Sequence, residues 1–242
     1  MRKSLACFVA MAAMLMLPVM SWGTDRFNEA AEAPFEKHLL KTAAKWTRYP
    51  LQVGSGERKA NVLDFAMAFC SEYQKYMPNA AMLDFIKRES KADKVWDMER
   101  CEQGYYMDYN PHDDYVKCDL GWLGFYTEIC CWQRTNGHSL VGVVMLVGMD
   151  GERNVHALLF YDYDPETRIM TPDKKTCKEV RKMIRKQRGV VFPELPKDGG
   201  NFNVSYVEWI GSDSEDWRYH DLILEWTGDG FKRGKLTTTK IL

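Results

Sequence analysis

The hydrophobic period of this chain changes once, and that change limits the folds open to it. Over residues 34–90 apolar side chains recur at helix spacing, and over residues 104–242 they alternate. In the first stretch Pro34 suits an opening helical turn, and Phe35, Leu39, Thr42 and Trp46 follow at helical intervals. After breaks at Tyr49-Pro50 and Gly54-Ser55-Gly56, a second helix is expected from its cap Asn61 to Tyr76. It carries Val62, Phe65, Phe69, Tyr73 and Tyr76 on one stripe. Pro78-Asn79 ends that helix and opens a third, short one over 80–88, burying Met82, Phe85 and Ile86.

The alternating stretch reads as strands joined by tight turns. Tyr105–Asn110 and Tyr115–Asp119 flank the polar tip His112-Asp113-Asp114, and Glu128–Arg134 ends at the hairpin signal Asn136-Gly137. Leu140–Val147 is almost wholly apolar, so both of its faces should be buried. Asp150-Gly151 turns it into Val155–Tyr163, and Asp164-Pro165-Glu166-Thr167 leads on to Ile169-Met170. A helix then runs from Thr171-Pro172 to Gly189, and strands follow near 190–192, 203–210 and 220–226. Tight turns favour antiparallel pairing, since parallel strands need long crossovers. The expectation is one α+β domain over residues 24–242: N-terminal helices packed on a curved antiparallel meander sheet, with one inserted basic helix.

The first 23 residues carry an address. Arg2 and Lys3 precede an apolar run from Leu5 to Met20, and Ser21 and Gly23 are small residues at the cut positions of a secretory signal. The run is shorter than the roughly 20 residues that span a bilayer, and Pro18 interrupts it. Cleavage after Gly23 is therefore expected, leaving a periplasmic or extracellular protein with no transmembrane segment. Cleavage removes two cations and no acid, taking the net charge from −1 to −3. That balance offers no footprint for nucleic acid.

Six cysteines remain after such a cut: Cys70, Cys101, Cys118, Cys130, Cys131 and Cys177. An oxidising compartment permits disulfides among them, although Cys70, on a helical apolar stripe, can equally pack as a small hydrophobe. Neighbours Cys130 and Cys131 should point to opposite faces of a strand. Cys131-Trp132 matches the pair at the nucleophile of papain-like hydrolases, but the likeness ends there, because a mid-strand thiol lacks the helix N-terminus that would activate it. No metal-ligand spacing occurs, and counting from Asp162 an EF-type calcium loop fails at Thr167 and Asp173. No cofactor is expected.

Three features remain as candidates. His156 and Glu208 share strand faces with apolar residues, where burial would perturb their pKa values in the way acid–base chemistry uses. The inserted helix holds eight cations between Lys174 and Arg188, and Lys178, Arg181, Lys182 and Arg185 form a ridge suited to anionic lipid or glycan. Trp217, in the polar stretch Ser212–Arg218, is a candidate stacking ring. The sequence thus reads as an exported, non-enzymatic binding protein of the envelope or extracellular space with an unidentified partner. The rival is a hydrolase of envelope or extracellular polymers acting through carboxylates or a histidine.

Overall fold

Asn61 begins the first helix with a reciprocal cap. Its side chain accepts the Asp64 N–H at 3.2 Å, and the Asp64 carboxylate accepts the Asn61 N–H at 2.9 Å. The computed structural model describes residues 49–54, 58–89, 96–100, 104–110, 112–121, 125–150, 153–184, 190–209 and 217–240. The expected helix near Pro34, the signal segment and Cys101 lie outside them. Helix α1 spans Val62–Glu72, and α2 spans Met77–Glu89, with Pro78 in its first turn, where a missing N–H costs nothing, rather than ending the preceding helix.

Eight strands form one antiparallel sheet: β1 (Leu51–Gln52), β2 (Trp96–Arg100), β3 (Tyr106–Tyr109), β4 (Tyr115–Asp119), β5 (Tyr126–Gln133), β6 (Ser139–Asp150), β7 (Arg153–Asp164) and β8 (Ile169–Pro172). From β2 to β8 each strand pairs with its neighbour in the chain, and β1 closes the far edge beside β8. Helix α3 (Lys174–Ile184) follows. The remaining strands, β9 (Val190–Glu194), β10 (Phe202–Trp209), β11 (Trp217–Trp226) and β12 (Phe231–Lys240), make a second, four-stranded antiparallel sheet.

This arrangement overturns the expected α+β fold of helices on one curved sheet. The described chain is mostly antiparallel β in two sheets, with only three short helices. The physical reason lies in β5–β7. Both faces of these strands are apolar, so each needs a cover, and alternation alone does not say which sheet a later strand joins. The small sheet covers one face, packing Val191, Phe202, Val204, Tyr206, Leu222, Leu224 and Phe231 on Tyr115, Cys130, Trp132, Leu140, Val144, Leu158 and Phe160. The opposite face is covered by α1 and α2 through Val62, Phe65, Phe69, Met82, Phe85 and Ile86.

Trp132 is the hub of the inter-sheet core. Its ring centroid lies 5.1 Å from that of Phe231, 5.9 Å from Trp226 and 6.3 Å from Phe160, and its indole N–H donates to the Gly200 carbonyl at 2.7 Å. The ring rests on Gly142 of the next strand, where a Cβ would come within 2.8 Å of it. Trp226 packs against the same core. The described cysteines Cys70, Cys118, Cys130, Cys131 and Cys177 are free thiols. Cys130 and Cys131 do point to opposite faces, each into a different core.

Candidate functional site

Two hairpin ends and the start of α3 meet at one end of the large sheet. The register sets Leu140 opposite Asp162 and Ser139 opposite Tyr163, which brings His138, just before β6, beside the last residues of β7. Arg134 leaves β5 on the same face as Trp132, and Asp173 caps α3, accepting the Thr176 N–H at 2.9 Å and the Thr176 hydroxyl at 2.7 Å. Arg134 joins these parts. One guanidinium nitrogen binds Asp162, while the other binds Asp173 and, at 3.2 Å, Thr176. Only 12% of the Arg134 side chain is exposed, and its Nε is buried without a hydrogen-bond partner.

His138 completes the network. Its Nδ1 lies 2.7 Å from Asp162 Oδ2, and its Nε2 is 3.9 Å from Asp164 Oδ1. Asp164 is organised by its own turn, accepting the Thr167 hydroxyl at 2.8 Å and the Glu166 N–H at 2.9 Å. Those two bonds hold its carboxyl below the usual range. For Asp173 burial pushes upward, but the Thr176 N–H and hydroxyl and the Arg134 guanidinium outweigh it, and its pKa is lowered. Both groups are therefore carboxylates at neutral pH, suited to accepting hydrogen bonds and unsuited to donating protons.

These residues line an open cleft of about 1120 Å³. Its walls add the polar side chains Asn136, Thr171 and Asp229, the cations Lys174 and Lys175, and the ring of Phe231. The β11–β12 turn is tied in by Thr135, whose N–H donates to the Gly228 carbonyl at 3.0 Å and whose hydroxyl donates to Asp229. Gly228 has φ 93°, a left-handed conformation that glycine adopts without strain. No protein-family model, curated protein or solved structure matches the chain.

A second ionisable group sits at the other end of the same face. Asp108, Lys117 and Glu128 are directly opposite one another across β3, β4 and β5. Glu128 is 7% exposed, 3.5 Å from the Lys117 ammonium, and accepts the Leu195 N–H at 3.3 Å. Burial lifts its carboxyl to about 7 against the pull of Lys117 and the Leu195 N–H. Lys197 ties the same loop down through Asp108 at 2.8 Å.

The candidates named from sequence fall in several places. Lys178, Arg181 and Lys182 lie on α3, which adjoins the cleft through Lys174 and Lys175. Arg185 lies outside the described residues. His156, Glu208 and Trp217 are on β7, β10 and β11 by backbone, with Glu208 paired to Arg218 and Trp217 to Trp209, but their side chains lie outside what is described. Asp162 and Asp164, from the stretch that fails as a calcium loop, reach the cleft, and residues 210–216, in the polar stretch before Trp217, lie outside the described residues. Among the described residues no three His, Cys, Asp or Glu side chains converge as a metal site. Burial raises the pKa of the Cys131 thiol, leaving it a packed group rather than a nucleophile. Sequence reasoning missed Arg134, His138 and Glu128. The β6–β7 register, counted outward from Asp150-Gly151 with its shift between Leu146 and Gly148, is the signal that would have paired His138 with the end of β7.

Proposed function

We propose that this chain is an exported, non-enzymatic binding protein of the envelope or extracellular space, and that its cleft takes a polar, hydroxyl-bearing ligand. The observation that carries the reading is the state of two cleft carboxylates, each fixed by hydrogen bonds from its own turn or cap. Asp164 and Asp173 are drawn down and held in place, so they offer fixed acceptors and no general acid. Around them Asn136, Thr171 and Asp229 add further polar groups beside one aromatic wall, the pattern of a site that orients a ligand by a few placed contacts. Export is supported by the charge and apolar pattern of the first 23 residues. None of the described helices is long and apolar enough to cross a membrane.

The test begins with the mature protein recovered after export, whose mass should correspond to cleavage after Gly23. Neutral oligosaccharides are then titrated calorimetrically against it and against Thr171→Trp, which fills the cleft. Binding that falls at least about tenfold, or about 1.4 kcal/mol, in the variant supports the reading, and equal binding removes it.

Hydrolysis has one observation in its favour, namely His138 held by Asp162 with its other nitrogen at the cleft. Release of shortened sugars by the wild type and not by His138→Asn would establish that alternative.

A further inference from the structure

We infer that α3 and β12 together form a docking track for an acidic polysaccharide. This rests on the binding reading above and names the class of ligand. Helix α3 turns Thr176, Val180 and Ile184 into the core and exposes Lys174, Lys175, Lys178 and Lys182, with Arg181 half-buried at the flank. The structure adds what the sequence kept apart. Strand β12 packs against α3, and the Arg233 guanidinium donates to the Met183 carbonyl in the last helical turn, a favourable end of the helix for a cation. Lys235 follows on the exposed edge of the same strand.

Pairing separates these cations from several others. Arg58, Arg88, Lys117, Arg134, Lys197 and Lys232 all meet carboxylates. Among the described residues Lys174, Lys175, Lys178, Arg181, Lys182 and Lys235 make no ion pair, and Glu179 is the single acid on the helix. An uncompensated basic strip on a chain of net charge −1 is a local field that attracts polyanions.

Two features choose among polyanions. The apolar side of α3 is already spent on the core, so nothing remains for the insertion by which amphipathic helices hold a bilayer. The strip also runs about 12 Å along the helix from Lys174 to Lys182, at roughly 1.5 Å per residue, and ends in the cleft, where Lys174 and Lys175 stand beside Asn136, Thr171 and Asp229. A linear polymer with both acid groups and hydroxyls matches the strip and the cleft at once. Phospholipid headgroups supply the charge alone.

The probe is a polygalacturonate oligosaccharide titrated against the mature protein at several salt concentrations. Parallel arms use phosphatidylglycerol vesicles, duplex DNA and a neutral oligosaccharide. The double variants Lys178→Gln/Lys182→Gln and Arg233→Gln/Lys235→Gln should each weaken polygalacturonate binding about tenfold or more and flatten its salt dependence. Lys235→Gln alone, which leaves the Arg233 contact with α3 in place, should give a smaller loss in the same direction. Thermal melts establish that the variants are folded. Loss in the helix variant but not in the strand variants would overturn the two-segment track, as would salt-independent binding or tighter binding to vesicles or DNA. The neutral sugar reports on the cleft alone. If it fails to bind while polygalacturonate binds and responds to both pairs, the cleft reading falls and the track stands.

Discussion

Between the helices and the large sheet lie Val116, Ile129, Val141, Val143, Leu159 and Tyr161, whereas the reverse face of the same strands carries Lys117, Glu128, Trp132, Phe160 and Asp162. On the helix side the buried polar contact is closed on itself. Thr127 donates to Asn79 at 2.7 Å, and Asn79 donates to the Tyr73 carbonyl at 3.1 Å. On the other side an aromatic centre separates two ionisable ends, Arg134–Asp162–Asp173 and Asp108–Lys117–Glu128. The apolar side chains on the helix side are buried in one cluster. The small sheet covers only the middle of its partner, and polar groups survive where the cover stops.

Three measurements can break or sharpen that contrast. The largest effect is expected at the aromatic centre. Trp132→Ala removes the hub of the inter-sheet core and should lower unfolding stability by about 3–5 kcal/mol, read from urea midpoints. A loss below 1 kcal/mol or so would mean that the small sheet hardly depends on this face.

Next comes the pH response of the polar ends, which run in opposite directions. Glu128 takes its proton up at about 7 in the folded chain against an ordinary 4.5, so its contribution to stability falls as pH rises from 4.5 to 7 and is level above that. Asp173 is depressed below its ordinary 3.8, so its contribution is full above that value and is lost as pH falls through its folded pKa. Glu128→Gln should remove the decline toward neutral pH, worth up to about 3 kcal/mol, while leaving Lys117 its contact with Asp119. Unfolding midpoints from about pH 5 to about pH 8 that still decline in the variant would show that Glu128 does not cause the slope.

The smallest effect tests the sealed side. Thr127→Val leaves Asn79 Oδ1 buried without its donor and should cost about 1–2 kcal/mol, with no change in ligand binding at the cleft. A change in binding there would mean that the two faces are coupled.

Much of the local structure was legible in the residues. Asn61 marked a helix start, and Asn136-Gly137 and Asp164–Thr167 marked hairpins, because capping and turn chemistry are short-range. The division into two sheets was not legible. A strand such as Phe202–Trp209 alternates in the same way whichever sheet it joins, and what decides is that α3 leads the chain out of the large sheet after β8. The edges β1 and β2 were missed as strands, being too short or too polar to show a period. Nor was the cleft visible, since Arg134 meets Asp162 and Asp173 only once three elements are in register. Glu128 could have been found. It shares the face of Cys130 and Trp132, and a carboxyl in that row has to be buried.

The order of strands in the large sheet also shapes how the chain reaches this fold. From β2 to β8, and again from β9 to β12, every pairing is between consecutive segments, so each sheet can zip from hairpins with little loop entropy at each step. The exception is β1, where Leu51 waits for Met170. Closing that edge requires β8 to be in place at the far end of the meander, so this two-residue strand carries the longest loop-closure cost of any pairing in the large sheet.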